Sequence, residues 1–282
     1  MDRVKDNIYV ETEFLGCNPS FVVTKEGIVM IDTPQKPTEA FGWRNEIQKR
    51  GEIRYIINTD HHQDHAIGNF YFEGNIIAHV GTMKKLQSPG REELCKQWVL
   101  RIDPQFEPIV KNYSIRPPQI TYSDRMSLYL GEDRFDLIHV ESHTADETLV
   151  YMPNKKLLFA GDTVCTNQIP SLHESYPLSW LKALDLIETL DFDLLIPGHG
   201  EIGDKESFRK FRHEFSELVN HAMGKINRGC SREELIRAMK YEDTVHSKYP
   251  PSFAEHFANN MKKNIGRLYD ELKRATNKLS QA

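Results

Sequence analysis

No apolar run in this chain approaches the ~18 consecutive residues a membrane-spanning helix needs, so a chain threaded through a bilayer by such helices is excluded. Cysteine is scarce: Cys17, Cys95, Cys165 and Cys230 are the four among 282 residues, and no two form a Cys-x-x-Cys pair. That argues against a zinc ribbon or a disulfide framework. No apolar segment follows the opening Met-Asp-Arg-Val-Lys-Asp to act as a secretory signal, so free thiols in a reducing cytoplasm are expected. Positive charge is not in excess: 36 Lys and Arg against 41 Asp and Glu leave a formal charge of −5, and nucleic acid is not an expected partner. Gly (16) and Pro (14) are at ordinary levels, which excludes a collagen-like or low-complexity chain. What remains is a globular composition, 39% hydrophobic, of a length between one large domain and two small ones.

The N-terminal part reads as short strands broken by a few helices. Extended segments are expected at 7–12 and 20–24. After the Lys25-Glu26-Gly27 turn, Ile28-Val29-Met30-Ile31 is an apolar run suited to a strand buried on both faces. A helix is expected over 37–50, stopped at Gly51, then a buried strand at 54–58. Another helix is expected at 91–102 and strands at 120–122, 127–130 and 135–140. A hairpin pairs 148–152 with 156–160, an amphipathic helix covers 179–190, and a short strand lies at 194–196.

The remainder is helical. Phe208, Phe211, Phe215, Leu218, Ala222 and Ile226 keep helical spacing up to Gly229, and Ser231 with Glu234 forms a capping box. Ser252 with Glu255 repeats that signature after Pro250-Pro251. Phe253, Phe257, Met261, Ile265, Leu268 and Leu272 then make one apolar stripe. It is expected to pack on the main domain, or to form a homodimer contact with a second subunit. Asp270 and Glu271 weigh against a membrane-surface helix. The expected division is a catalytic domain over 1–205 and a helical extension over 206–282 packed on it.

The 12 histidines stand out by position. His61, His62 and His65 fall within Thr59-Asp60-His61-His62-Gln63-Asp64-His65. Ser142-His143-Thr144, Gly161-Asp162-Thr163, Pro197-Gly198-His199-Gly200 and, earlier, Ile31-Asp32-Thr33 each follow an expected strand. Strand ends are where an α/β scaffold presents functional side chains. Imidazoles and carboxylates together suit Zn, Fe or Mn, and converging loops can close a ligand set around one open position. A lone histidine is more often a hydrogen-bonded surface or core group. His79, His213, His221, His246 and His256 are read that way, His139 is read as core, and Cys165 as a small buried filler.

With these motifs in this order, the chain resembles the metallo-β-lactamase superfamily over residues 7–203. The family signature is His-x-His-x-Asp-His, a lone His, a bridging Asp or Cys, and a final His. The resemblance implies an α/β fold, the four-layer αββα sandwich, here with a C-terminal helical extension. It implies two divalent metal ions, Zn first, with Mn or Fe as substitutes. His62 and His143 would bind the first metal, Asp64, His65 and His199 the second, and Asp162 would bridge them, with Asp32 in support. Asp64 would also act catalytically by orienting a hydroxide between the metals. One position departs: Asp60 stands where the family has its first histidine. As a metal ligand, Asp60 makes three carboxylates against two divalent ions, so the water becomes less acidic and a carbonyl less polarised. Two other arrangements are open at this point: Asp60 turns away and only the second site fills, or His61 swings in. His61 at the site mouth, and His173 and Tyr176 in a loop that lines the family's cleft, are candidate substrate contacts.

The implied activity is a metal-dependent hydrolase using a metal-bridging hydroxide on a small ester, lactone or related carbonyl substrate. Two alternatives accompany it, a mononuclear iron oxygenase of the persulfide dioxygenase type and a glyoxalase II-like thioesterase. The full second ligand set argues for two metals, and the helical C-terminus matches the thioesterase in architecture alone. A non-catalytic relative would be expected to show an eroded ligand set, whereas one position has changed here.

Overall fold

Strand alternation sorts the core into layers in this computed structural model, which describes residues 1–167, 171–240, 249 and 253–279. The first sheet has seven strands in chain order, β1 (Asp2–Lys5), β2 (Ile8–Val10), β3 (Ser20–Thr24), β4 (Gly27–Ile31), β5 (Ile53–Ile57), β6 (Asn75–His79) and β7 (Ile120–Tyr122). Neighbours from β1 to β4 are antiparallel, and those from β4 to β7 are parallel. The second sheet has five, β8 (Arg125–Leu130), β9 (Asp133–Val140), β10 (Glu147–Met152), β11 (Leu157–Phe159) and β12 (Leu194–Ile196), in the order β12-β11-β10-β9-β8. In that sheet only β11 and β12 pair parallel.

On β4, Ile28 and Met30 pack against Ala40, Trp43 and Ile47 of helix α1 (Pro37–Gln48), while Val29 and Ile31 face the other sheet. On β9, Phe135 and Leu137 meet that inner layer, while Ile138 and Val140 face outward. Period-two alternation on both sheets thus yields helix, sheet, sheet, helix: the four-layer αββα sandwich. Helices α2 (Gln63–Ala66), α3 (Val80–Leu86), α4 (Arg91–Ile102) and α5 (Glu107–Val110) follow the parallel strands.

The outer face of the second sheet is covered by α6 (Pro177–Thr189), α7 (Lys205–Asn227), α8 (Arg232–Ala238) and α9 (Ala254–Leu279). Trp180, Phe208, Phe211, Phe215, Leu235, Ile265, Leu268 and Leu272 share one core with Leu149, Leu158 and Leu195 of the sheet. Ile265, Leu268 and Leu272, the C-terminal half of the apolar stripe, are therefore spent inside the chain. Its other half, Phe253 and Phe257, leans toward Leu15 and Trp98 of α4. Helix α9 thus runs from the α7–α8 core across to α4. Pro37 and Pro177 open their helices, where a missing N–H costs nothing. Both halves of the Ser231–Glu234 capping box form. Ser252, Pro250, Pro251 and His246 lie outside the described residues. Among the described residues no helix is long and apolar enough to cross a membrane. All four cysteines are free thiols, and Cys17, Cys95 and Cys165 are buried.

Strand β6 and helix α3 were not expected from sequence. Ile76-Ile77-Ala78 is too short to show a period of its own. It becomes a strand by pairing with β5 on one side and the distant β7 on the other.

Candidate metal centre

The loops leaving β4, β5, β9, β11 and β12 converge at one end of the two sheets. Asp32, just past β4, has φ 57°, a left-handed conformation that Asp tolerates better than most residues. The turn aims its carboxylate at the next loop: Oδ1 accepts the Thr59 N–H at 2.7 Å, and Oδ2 accepts the Thr59 hydroxyl at 2.7 Å and His65 Nδ1 at 2.8 Å. Asn58 and Asn69 exchange amide hydrogen bonds of 3.1 and 2.8 Å, and Asn58 also reaches the His65 carbonyl at 3.0 Å. The loop bearing the histidines is pinned from behind before any ligand is considered. Close approach on the other side demands glycine: a Cβ on Gly198 would fall 2.1 Å from Asp162 Oδ1.

Of the four donor groups among the described residues, two face Asp162, Asp60 with His62 and His143, and Asp64 with His65 and His199, while Cys17 with Asp32 and His65, and His61 with His62 and Glu174, flank them; within each group the donor atoms lie within 4.8 Å of one another. In the first, His143 Nε2 is 3.1 Å from His62 Nδ1, and Asp60 Oδ2 is 2.7 Å from that same nitrogen. In the second, Asp64 Oδ2 is 3.2 Å from His199 Nε2 and 3.9 Å from His65 Nε2. Asp162 stands between them, with Oδ2 3.4 Å from His143 Nε2, and Oδ1 3.4 Å from His65 Nε2 and 3.3 Å from His199 Nε2.

Hydrogen bonds behind the rings choose which nitrogens face inward. His65 Nδ1 donates to Asp32, and His199 Nδ1 donates to the Gly16 carbonyl at 3.0 Å, so both present Nε2 to the centre. His65 Nε2, Asp60 Oδ2 and Asp162 Oδ1 are buried with no hydrogen-bond partner outside the donor groups themselves. An unpartnered buried polar atom costs about 1–3 kcal/mol, so three that converge are a poor design for anything but ligand binding. Imidazole nitrogens and carboxylate oxygens in this arrangement fit divalent cations. The electrostatics agree. Burial works against a charge on His199, but the Asp162 and Asp64 carboxylates lift its pKa to about 10. Burial, seconded by the His62 ring, pushes His143 down to about 4 despite Asp162. Burial alone would raise Asp60, yet the His62 and His65 imidazoles hold it well below the usual carboxylate range. The centre therefore keeps its carboxylates ionised and attracts positive charge.

His61 lies beside the centre, its ring 4.7 Å from that of His62, but is paired away from Asp162. It is 1% exposed, with Nδ1 2.9 Å from Asp146 and Nε2 3.3 Å from Glu174. The expectation of His61 at the mouth, or swinging in for Asp60, is corrected: the ring is buried beside that of His62, and Asp146 and Glu174 occupy both its nitrogens. Burial opposes its charge, but the two carboxylates raise its pKa to about 9. A folded-state pKa above the unfolded one, near 6.5, stabilises fully below that value, and the gain is lost as pH rises through about 9. Denaturation of the chelated protein should therefore show on the order of 2 kcal/mol less stability at pH 10 than the slope of a His61→Gln variant accounts for. Equal pH slopes for the two proteins would refute the pairing.

A cavity of about 310 Å³ opens above the donors, lined among others by His173, Trp98, Tyr249 and, from α9, His256, Phe257, Asn260 and Lys263. His173 reaches it, its ring 5.5 Å from that of His62. Burial and the rings of His62 and His143 push its pKa down to about 3, so it is neutral. Tyr176 does not reach it: its ring lies under the Arg267 guanidinium at 4.9 Å, beside a separate hollow with Glu141 and Arg274. His256, read as an ordinary histidine, lines the cavity. His139, read as core, is half-buried and stacks on His79 with centroids 3.9 Å apart. Sequence reasoning also passed over Asp146, Glu174 and Glu147. Glu147 is fully buried with neither carboxylate oxygen hydrogen-bonded, and burial, with Asp60 and Asp162 nearby, raises its pKa. No local signal marks these three, because their roles depend on which strand ends meet.

Comparison with known proteins follows the same lines. The family model described as the metallo-beta-lactamase superfamily matches residues 12–199. The chain is 24% identical over 224 residues to a metallo-beta-lactamase type 2 of Elizabethkingia meningoseptica, covering 74% of this chain and 82% of that protein. Among solved structures, a metallo-beta-lactamase from Pontibacter korlensis matches with a TM-score of 0.62 at 17% identity, covering 76% of this chain and 97% of that one. A stereoselective inverting sec-alkylsulfatase from Pseudomonas sp. matches with a TM-score of 0.69 at 14% identity, covering 95% of this chain and 49% of that one. At such identities the structural likeness is one of fold.

Proposed function

Since the chain belongs to the metallo-beta-lactamase superfamily and is an enzyme of that fold, we propose that it is a binuclear metal-dependent hydrolase of a small ester, lactone or related carbonyl substrate, working in a reducing, cytoplasmic setting. The observation that supports this most is Asp162, whose two oxygens face the two donor groups separately. Asp60, His62 and His143 would hold one cation, Asp64, His65 and His199 the other, and Asp162 both. Such a pair, when bound, makes water more acidic and polarises a substrate oxygen.

The chain's own residues do the positioning. Asp32 and the Gly16 carbonyl hold the Nδ1 protons of His65 and His199, so neither ring can turn its proton toward the centre. Asp64 keeps one oxygen on His199 and lines the cavity, where its other oxygen can take a hydrogen bond from the attacking water and set its line of approach. Asp60 in place of an imidazole adds negative charge, which favours Mn or Fe relative to an all-imidazole group and weakens the pull on a carbonyl.

Metal content of the purified protein, measured by plasma mass spectrometry without added metal, tests this reading. About two equivalents of Zn or Mn per chain are expected. Hydrolysis of a panel of esters, lactones, thioesters and sulfate esters should be lost on chelation and restored by the same metal. A single iron with oxygen uptake would move the protein to the oxygenase class. No metal after reconstitution would overturn the proposal.

A further inference from the structure

We propose that the cavity over the metal centre selects an amphiphilic acid, an ester or lactone with an aryl or alkyl body and a carboxylate or sulfonate away from the bond that is cut. The cutting of that bond rests on the hydrolase reading. The body and the charge rest on the cavity walls.

One wall is aromatic, formed by Trp98, Tyr249 and Phe257. Both polar ends of its amphipathic rings are drawn off by one residue. The Trp98 Nε1–H donates to Gln35 Oε1 at 2.6 Å, and Gln35 Nε2 donates to the Tyr249 hydroxyl at 2.9 Å and to the Leu15 carbonyl at 3.1 Å. Gln35 is 0% exposed, so its amide is a fixed internal clamp. With indole N–H and phenol oxygen held there, the rings offer the cavity apolar surface, and Phe257 extends it edge-on to Tyr249 at 5.1 Å. An apolar wall with few polar groups is what a hydrophobic ligand body needs.

Charge is separated along the same cavity. Its two lining carboxylates, Asp64 and Asp162, are turned to the donor groups. Lys263 is the lysine among the lining residues; it is exposed, and among the described residues it has no carboxylate within ion-pair distance. Asn260, one helical turn before it on α9, lines the same side, its amide nitrogen 3.2 Å from His256 Nε2. A ligand lying on the aromatic wall would thus carry its remote anion to Lys263, and a neutral ligand would leave that cation unused.

Calorimetric titration of the metal-bearing protein with two unreactive probes of one shape, 4-phenylbutanoate and 4-phenylbutan-1-ol, separates the contributions. The acid is expected to bind about tenfold more tightly than the alcohol, and butanoate, lacking the ring, at least about tenfold more weakly than 4-phenylbutanoate. Lys263→Ala should weaken the acid about fivefold and the alcohol less than about twofold, and Lys263→Glu should weaken the acid further. Full acid affinity in Lys263→Ala would mean that the metals hold the anion, and that result overturns the proposal. Equal binding of acid and alcohol, or of butanoate and 4-phenylbutanoate, or no binding of any probe, overturns it as well. Turnover of 4-nitrophenyl acetate and of mono-4-nitrophenyl glutarate is read separately. If neither is cut while the acid still binds through Lys263, the hydrolase reading fails and this one stands.

Discussion

Asp162→Ala is expected to lower kcat/KM at least about a thousandfold and to leave the protein with under about half its metal. Among the described residues Asp162 is the one carboxylate within 3.4 Å of imidazoles from both donor groups. Losing it removes a shared ligand, and with it the charge that holds His199 at a raised pKa against its burial. The backbone need not move, because the Gly198 N–H still donates to the Gly161 carbonyl at 2.7 Å and keeps the two turns together. Asp162→Asn, which keeps the shape and loses the charge, should fall between. Kinetics and metal analysis on the same preparations decide it: two metals with activity within tenfold of the native protein would show that the groups bind independently.

Trp180→Ala should destabilise the fold by about 4 kcal/mol and weaken metal binding as well. Trp180 is 0% exposed, its ring 4.4 Å from that of Phe215 and 5.8 Å from that of His143. Its Nε1–H donates to the Thr163 carbonyl at 2.9 Å, next to Asp162 in sequence. One side chain therefore ties the α6–α7 core to a donor on each of two loops. Truncation opens a cavity, leaves the Thr163 carbonyl without its donor, and frees the His143 ring on one face. Urea unfolding with and without metal separates the effects. An equal loss in both would mean that Trp180 supports the core alone.

The donor set was legible because each member sits in a short motif just past a strand. His62, Asp64 and His65 share one loop, Asp162 lies in a Gly-Asp-Thr turn, and His199 in Pro-Gly-His-Gly. The strands that lead into them were legible as apolar runs, and the sandwich followed from the family they resemble. What surrounds the donors was not legible. Trp98 was placed on a helix with the right bounds, Arg91–Ile102, but helical spacing does not say which neighbour its face meets. Phe257 was read within an apolar stripe and Lys263 was not singled out, and only the path of α9 toward α4 turns them to the cavity. His61 failed for a simpler reason: its neighbours in sequence suggested a free nitrogen for the centre, while Asp146 and Glu174, distant in sequence, take both of its nitrogens.

The reach of α9 across the sandwich also bears on how the protein is made. Every donor, from Asp60 to His199, leaves the ribosome before Ala254 begins that helix. The two sheets and all the donor loops are therefore synthesised while Phe257 and Lys263 of the proposed selecting wall are still untranslated, and α9 completes both the outer core and the cavity last. On the proposed reading, the donors would be complete before the wall that selects the ligand is made.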